Sequence, residues 1–279
     1  MLPTTSSAGS VVAGAAYAAK AGRAVLRDPR EGVLRVADVL ADRRERRRRP
    51  FAYEADADWH RSLHTLCGLS WPCPVERDFR RLWSALVEEM NGRGLVLGRA
   101  SFGGWDDGGS ALALAAYCLA RTLRPDKIVE TGVAHGVTTR FLLEALERER
   151  AGRLWSIDLP PLVESRLETE IAVAVPPERR GRWTLCPGSS RRRLPGLLER
   201  LGSIGLFVHD SLHTERNVRF ELDHAWRALQ SGGALVVDDV DYNPGFGSFV
   251  RATADGSSLV ASHDDGRRLF GVILKRRRG

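Results

Sequence analysis

The sequence lacks any apolar run long enough to span a bilayer. Its one small apolar stretch, residues 11–19, has no basic segment in front of it, so the reading argues against a secretory signal. Cysteine is sparse. Cys67, Cys73, Cys118 and Cys186 form no C-x-x-C pair, so the sequence offers no zinc-ribbon or thioredoxin-type motif. Four scattered thiols fit a reducing compartment, and the cytoplasm is the expected location. There is no G-x-G-x-x-G and no H-E-x-x-H. His60 and His64 have an i, i+4 spacing that could hold a metal on a helix, but without that motif they are read as structural. An N-P-P-Y type motif and a recognisable RNA-binding module are absent too. The net charge of +7 is therefore read as an arginine-rich solvated surface, and nucleic acid is not the expected partner.

What is present is a chain of 279 residues, 43% hydrophobic, enough for a sizeable core. Residues 1–100 read as a helical N-terminal extension with a loose start at 1–10 and an arginine run, Arg46 to Arg49, stopped by Pro50. Within it, Asp78 is placed to cap a helix carrying Phe79, Leu82, Trp83, Leu86 and Met90 on one face and ending at Gly92. Residues 101–109 form a glycine-rich polar loop, either a cover for a ligand or a connector. Ser110 is expected to cap the apolar helix that follows, Leu112 to Leu123.

From Lys127 strand and helix signals alternate over the 101–279 domain, which predicts an α/β fold: a Rossmann-like, doubly wound, mostly parallel sheet. The apolar runs at Ile128–Val129, Arg153–Ile157, Trp183–Cys186, Ile204–Val208 and Ala234–Val237 end at Glu130, Asp158, Pro187-Gly-Ser-Ser190, His209-Asp210 and Asp238-Asp239. Each strand thus delivers polar groups at its carboxyl end, the edge where open α/β sheets bind ligands. Two last runs, Ser258–Ala261 and Leu269–Leu274, flank His263-Asp264-Asp265-Gly266, whose Asp-Gly favours a tight reversal into an antiparallel strand.

The organising stretch is Asp126 to Phe141: a short apolar strand ending at Glu130, then Gly132 and Gly136, then a helix with Phe141, Leu142, Ala145 and Leu146 on one face and Thr138 as candidate cap. Glycine lets backbone approach a ligand closely, and the helix start offers unpaired N–H groups. The spacing is wrong for a pyrophosphate-binding dinucleotide turn. Glu-Thr-Gly-Val-Ala-His-Gly, residues 130–136, resembles the first motif of class I S-adenosylmethionine (SAM) methyltransferases. The resemblance implies a SAM site lined by Glu130, Thr131, Gly132, Gly136 and Thr138, with Asp158 at the ribose hydroxyls and Ser189 near the adenine. Histidine 135 lies inside the turn and is read as shaping it.

A second constellation carries the chemistry. Asp210 and His213 fall on the loop before a helix capped by Thr214, and Asp238-Asp239 end the next strand. Carboxylates brought together there repel one another unless a cation is present, and a hard divalent ion such as Mg²⁺ takes oxygen ligands. Phe207-Val-His-Asp-Ser-Leu-His213, with Gly232-Gly-Ala-Leu-Val-Val-Asp-Asp239, resembles the metal-dependent small-molecule O-methyltransferases, with the macrolide-sugar and cephalosporin-pathway enzymes as the nearest subgroup. That resemblance, over roughly 100–275, implies Mg²⁺ on Asp210, Asp238 and Asp239, His213 as general base, and a small hydroxylated acceptor such as a sugar or natural product. Asn243 and Tyr242 are candidates to line the acceptor site. The competing readings are a nucleic-acid-binding methyltransferase and a non-catalytic module on the same fold. Homo-oligomerisation stays open.

Overall fold

The computed structural model describes residues 29–45, 51–98, 101–102, 107, 109–159, 165–253 and 256–277. The loose terminus at 1–10, the apolar stretch at 11–19, the arginine run at 46–49 and the middle of the glycine-rich loop lie outside these residues.

In chain order the elements are α1 Pro29–Glu45, α2 Trp59–Cys67, α3 Glu76–Gly92, α4 Ser110–Leu123, β1 Lys127–Thr131, α5 Val137–Glu149, β2 Arg153–Asp158, α6 Ser165–Glu170, a 3₁₀ turn Pro177–Arg182, β3 Trp183–Pro187, α7 Ser190–Leu201, β4 Ile204–His209, α8 Glu215–Ala228, β5 Leu229–Val237, a 3₁₀ turn Val240–Tyr242, α9 Gly245–Ala252, β6 Gly256–Ser262 and β7 Leu269–Lys275. The seven strands lie in the order β3-β2-β1-β4-β5-β7-β6. All neighbours pair in parallel up to β5; β7 is antiparallel to both β5 and β6. This is the expected Rossmann-like sheet with its antiparallel strand.

Side chains alternate across the sheet with period two. Ile128, Leu206, Val208, Ala234 and Val236 face a core shared with α4 and α5. Val129, Phe207, Leu235 and Val237 face a second core under α7, α8 and α9. Helix α4 is buried over most of its circumference, and its alanines 111, 113, 115, 116 and 120 allow close approach to its neighbours. The described part of the N-terminal segment joins these cores directly. The ring centroids of Phe79 and Phe141 are 4.5 Å apart, those of Trp59 and Phe270 5.2 Å, and the Gly247 amide donates to the Tyr53 hydroxyl at 2.8 Å. Helix α1 lies against the starts of α7 and α8: Ser189 Oγ donates to Glu31 at 2.8 Å, and the Glu215 amide to Glu45 at 2.9 Å.

Local capping departs from expectation in several places. Helix α3 begins two residues before Asp78, after Val75, and Asp78 instead pairs with Arg81 and Arg148. Thr138 lies inside α5; the N-cap is Gly136, with a left-handed φ of 84° and no side-chain cap. Ser110 is likewise the first residue of α4, after Gly109. The cap of α4 arrives from far along the chain: Asp264, in the β6–β7 turn, accepts from Ser110 Oγ at 2.6 Å and from the Ala111 amide at 3.2 Å. Thr214 does cap α8, accepting from the Asn217 amide. Strand β5 starts at Leu229 rather than Ala234. Lys275, the last residue of β7, donates to the carbonyls of Trp226 and Leu229 at 2.7 and 2.6 Å. A carboxylate at a helix start satisfies otherwise unpaired amides and favours the helix dipole. Asp264→Ala is therefore expected to cost about 1 kcal/mol, which thermal denaturation would register as a Tm lowered by about 2 °C in a domain of this size.

Candidate active site

The carboxyl tips of four neighbouring strands, β2, β1, β4 and β5, are joined beyond the sheet ladder. The Gly132 amide donates to Ile157 O at 2.9 Å, the Asp210 amide to Thr131 O at 2.8 Å, and the Asp238 amide to His209 O at 2.9 Å. Gly132 has φ 85°, and a Cβ there would stand 1.8 Å from the Asp210 carbonyl oxygen. The backbone that this glycine admits is thus the protein's own β4 loop. Gly136 is similar: a Cβ would meet Ala172 Cα at 3.0 Å. The Ala172 and Ala174 amides donate to the carbonyls of Ala134 and His135, so the 172–175 segment pairs with the turn.

Of the residues expected around SAM, Glu130 and Thr131 are wholly buried. Glu130 accepts from Thr139 Oγ1 at 2.8 Å and Ser156 Oγ at 2.6 Å, while its Oε1 is buried without a partner. Burial, reinforced by the charge of Asp158, raises its pKa to about 7. Thr131 Oγ1 donates to Glu221. Asp158 accepts from the amides of Leu159, Val133 and Ala134, which ties it to the glycine turn, and burial raises its pKa to about 6. Thr138 and Ser189 are buried at the starts of α5 and α7. Glu130, Asp158, Gly132 and Gly136 therefore surround one turn, and Ser189 lies one strand further along the same edge.

The second constellation also assembles. Asp210, His213 and Asp238 present ligand atoms within 4.8 Å of one another. His213 Nε2 is 4.0 Å from Asp210 Oδ1 and 3.8 Å from Asp239 Oδ2. Asp239 lies outside the tight group of three, takes a left-handed φ of 48°, and has Arg268 at 3.8 Å. Burial and the negative charge of Asp238 hold the Asp210 carboxyl well above its usual range. Asp239 is raised to about 7 by burial and by Asp238. Despite its own burial, Asp238 is held below the usual range by His263, whose Nε2 lies 2.7 Å from Asp238 Oδ1. Histidine 263 is in turn raised to about 9 by Asp238 against the opposing pull of burial. His213 goes the other way: burial, with the neighbouring His209, lowers it to about 4, so its ring is neutral at pH 7. Its Nδ1 is buried with no partner.

A ring of supports holds these groups. Asn243 Nδ2 donates to His213 O at 2.8 Å and its Oδ1 accepts from the Gly245 amide, so Asn243 fixes the His213 loop. The Tyr242 ring is 6.2 Å from that of His213 and lies under the Arg268 guanidinium. Buried Glu221 gathers His209 Nδ1 at 2.6 Å, Ser211 Oγ at 2.7 Å and Asn217 Nδ2 at 2.9 Å. Despite burial, His209, with hydrogen bonds from Ser190 and Thr131, lowers Glu221 to about 2. His135 does shape the turn: its Nδ1 is 2.7 Å from Asp107 and its Nε2 3.4 Å from Glu170. The sequence reading missed Glu221, Asp107, His263 and Glu31. Asp107, His263 and Glu31 lie 28, 25 and 158 positions from their partners His135, Asp238 and Ser189, and no short-range pattern marks them.

Residues 129–240 match the family model described as a methyltransferase domain. No curated protein sequence matches the chain significantly. Among solved structures, it is similar to the O-methyltransferase TomG from Streptomyces achromogenes, involved in tomaymycin synthesis and solved in complex with SAM. The two share 18% identity over 69% of this chain and 88% of that one, with a TM-score of 0.52. It is similar also to the O-methyltransferase from Bacillus cereus in complex with SAH, at 13% identity over 78% and 98% of the two chains and a TM-score of 0.50. Residues 129–240 are thus similar to a methyltransferase domain, and the sheet around them has the Rossmann-like fold that those solved structures share. Among the described residues no helix is long and apolar enough to cross a membrane.

The buried Glu130 gives a pH test of this geometry. Its folded pKa of about 7 exceeds the ordinary 4.5, so the folded state prefers the neutral carboxyl. Stability is then complete below pH 4.5 and falls as pH rises towards 7, by about 3 kcal/mol for a group this deeply buried. Glu130→Gln keeps an acceptor for Thr139 and Ser156 without the charge. Urea unfolding of the SAM-free protein between pH 5 and 8 is expected to show a stability that declines with pH in the parent and is flatter in the variant.

Proposed function

We propose that this protein transfers the methyl group of SAM to a hydroxyl of a small molecule, of sugar or natural-product type, with a divalent cation on Asp210, Asp238 and Asp239 and with His213 as general base. The observation that carries the reading is the meeting of Asp210, His213 and Asp238 at one point beside the glycine turn. The donor set suits the ion: carboxylate oxygens are hard ligands, and the raised pKa values of Asp210 and Asp239 express a surplus of buried negative charge that a cation would relieve. When bound, a divalent cation would acidify a hydroxyl placed on it, as metals lower the pKa of bound water from 15.7 to about 7.

The chain's own residues do the rest. Asp158 binds the ribose hydroxyls, and the turn around Gly132 and Gly136 orients the methionine end of the cofactor. Because Gly132 packs directly on Asp210, the methyl donor and the acceptor share one wall, and orientation of this kind supplies a large part of a methyl-transfer rate. The acceptor oxygen attacks the methyl carbon in line, the carbon–sulfur bond breaks, and the hydroxyl proton passes to His213 Nε2. His213 is neutral at working pH and therefore has the lone pair this needs. Asn243 positions it through its main chain.

Two outcomes are expected. Calorimetry with SAM should show binding that weakens by about 10- to 100-fold in Asp158→Ala, the loss of one or two charge-assisted hydrogen bonds; no binding of SAM by the parent protein would end the proposal. Turnover, followed by mass spectrometry across a panel of hydroxylated metabolites for the gain of one methyl, should require added Mg²⁺ after transfer into metal-free buffer. His213→Ala should lower kcat by about 10²- to 10⁴-fold while SAM affinity is retained. Turnover indifferent to both Mg²⁺ and His213 would remove the metal and the base together.

A further inference from the structure

We propose a second metal site in this protein, a structural zinc site built from His60, His64, Cys73 and Cys118. The four come from three separate places: His60 and His64 from successive turns of α2, Cys73 from the loop before α3, and Cys118 from the middle of α4. Their ligand atoms all lie within 4.8 Å of one another. Cys118 Sγ is 3.6 Å from Cys73 Sγ and 3.4 Å from His64 Nε2. A tetrahedral zinc ion, with Zn–S of about 2.3 Å and Zn–N of about 2.0 Å, sets its ligands about 3.8 Å apart for a sulfur pair and about 3.5 Å for sulfur and nitrogen. The observed spacings differ from these by a few tenths of an ångström.

The surroundings point the same way. His64 Nδ1 lies 2.8 Å from the Ser70 carbonyl. A carbonyl only accepts, so Nδ1 carries the proton and Nε2 presents its lone pair to the cluster. His60 Nε2 is buried with no hydrogen-bond partner, and its Nδ1 stands 3.8 Å from Glu76. A carbonyl or carboxylate behind each imidazole is the usual support of a metal-bound histidine. The Trp71 ring meets both imidazoles edge to face, at 5.0 and 5.4 Å, and shields the cluster. A 3.6 Å sulfur separation is far from the ~2.05 Å of a disulfide. Two thiolates balance a divalent ion, so the filled site is neutral, as its burial requires. Each thiol gives its proton to solvent as the metal binds. Sulfur and imidazole favour zinc over the hard ions suited to Asp210 and its neighbours. Four protein ligands leave no open position, which makes the site a fastener and not a catalyst. It would pin α2 and the loop before α3 onto α4, the helix that lies on the methyltransferase sheet.

The experiment is metal analysis of the full chain made without a polyhistidine tag. About one zinc per chain is expected, retained through gel filtration. The Cys73→Ser, Cys118→Ser double variant should lose it, whereas Asp238→Asn should keep it, which separates this site from the acidic one. Chelator-stripped parent protein titrated with Co²⁺ alone should develop the visible absorption of a tetrahedral ion and sulfur-to-cobalt charge-transfer bands. This spectrum decides the matter even where the double variant does not fold. Zinc retained by a folded double variant, no tetrahedral cobalt spectrum, or a Cys73–Cys118 disulfide in the freshly isolated protein would each overturn the assignment.

Discussion

The constraint on which the site depends is a steric one, the contact between Gly132 and the backbone of Asp210. No side chain fits between them, because a Cβ would stand 1.8 Å from the carbonyl oxygen. Strands β1 and β4 are adjacent in the sheet, and their tips are closed further by the bond from the Asp210 amide to Thr131 O. The turn that follows β1 and the loop that follows β4 are thereby one rigid piece. Asp158 is tied to the same piece through the amides of Val133 and Ala134. A cofactor bound at the turn cannot shift independently of Asp210. The methyl transfer proposed above would depend on the placement of donor and acceptor, which this shared wall would set.

Charge is the second constraint. Asp210, Asp238 and Asp239 converge in a largely buried region, faced by His263 and Arg268. The compensation is uneven. His263 neutralises Asp238 directly, while Asp210 and Asp239 resist ionisation. The same arrangement keeps His213 neutral, since burial outweighs its acidic neighbours. The left-handed φ of Asp239, a conformation costly for a residue with a side chain, is held by the 3₁₀ turn that follows it.

Much of this was legible in the sequence because the signals were local. The alternation of apolar runs with glycine turns fixed the strands of the parallel sheet, and the acids at strand ends marked the edge where they cluster. The Asp-Gly reversal located the antiparallel pair β6 and β7. What was not legible joins residues far apart in the chain. Asp264 caps α4 across 154 positions, and its turn read as a mere reversal. Ser189, read by analogy as a cofactor neighbour, also donates to Glu31. The glycines of the central turn, read as space for a ligand, prove also to be space for the protein's own backbone. Helix-cap expectations for Asp78, Ser110 and Thr138 failed together, because a cap depends on the φ of the preceding residue and on what else can reach the helix start.

The two clusters of ligating side chains differ in a way that sequence spacing hides. One is made of carboxylates at the tips of β4 and β5, whose order in the chain follows from the sheet. The other combines an i, i+4 histidine pair with two cysteines 45 residues apart. Motif reading demands the second cysteine within a few residues of the first, since zinc ribbons close short loops. Here a long loop is closed by packing: Phe79, Tyr117 and Phe141 hold α3, α4 and α5 together. A ligand set assembled by packing needs no sequence motif. Oxygen donors gather at the strand tips, and sulfur with imidazole gathers where α2, the loop before α3 and α4 meet; hard and soft donor sets of this kind favour different ions.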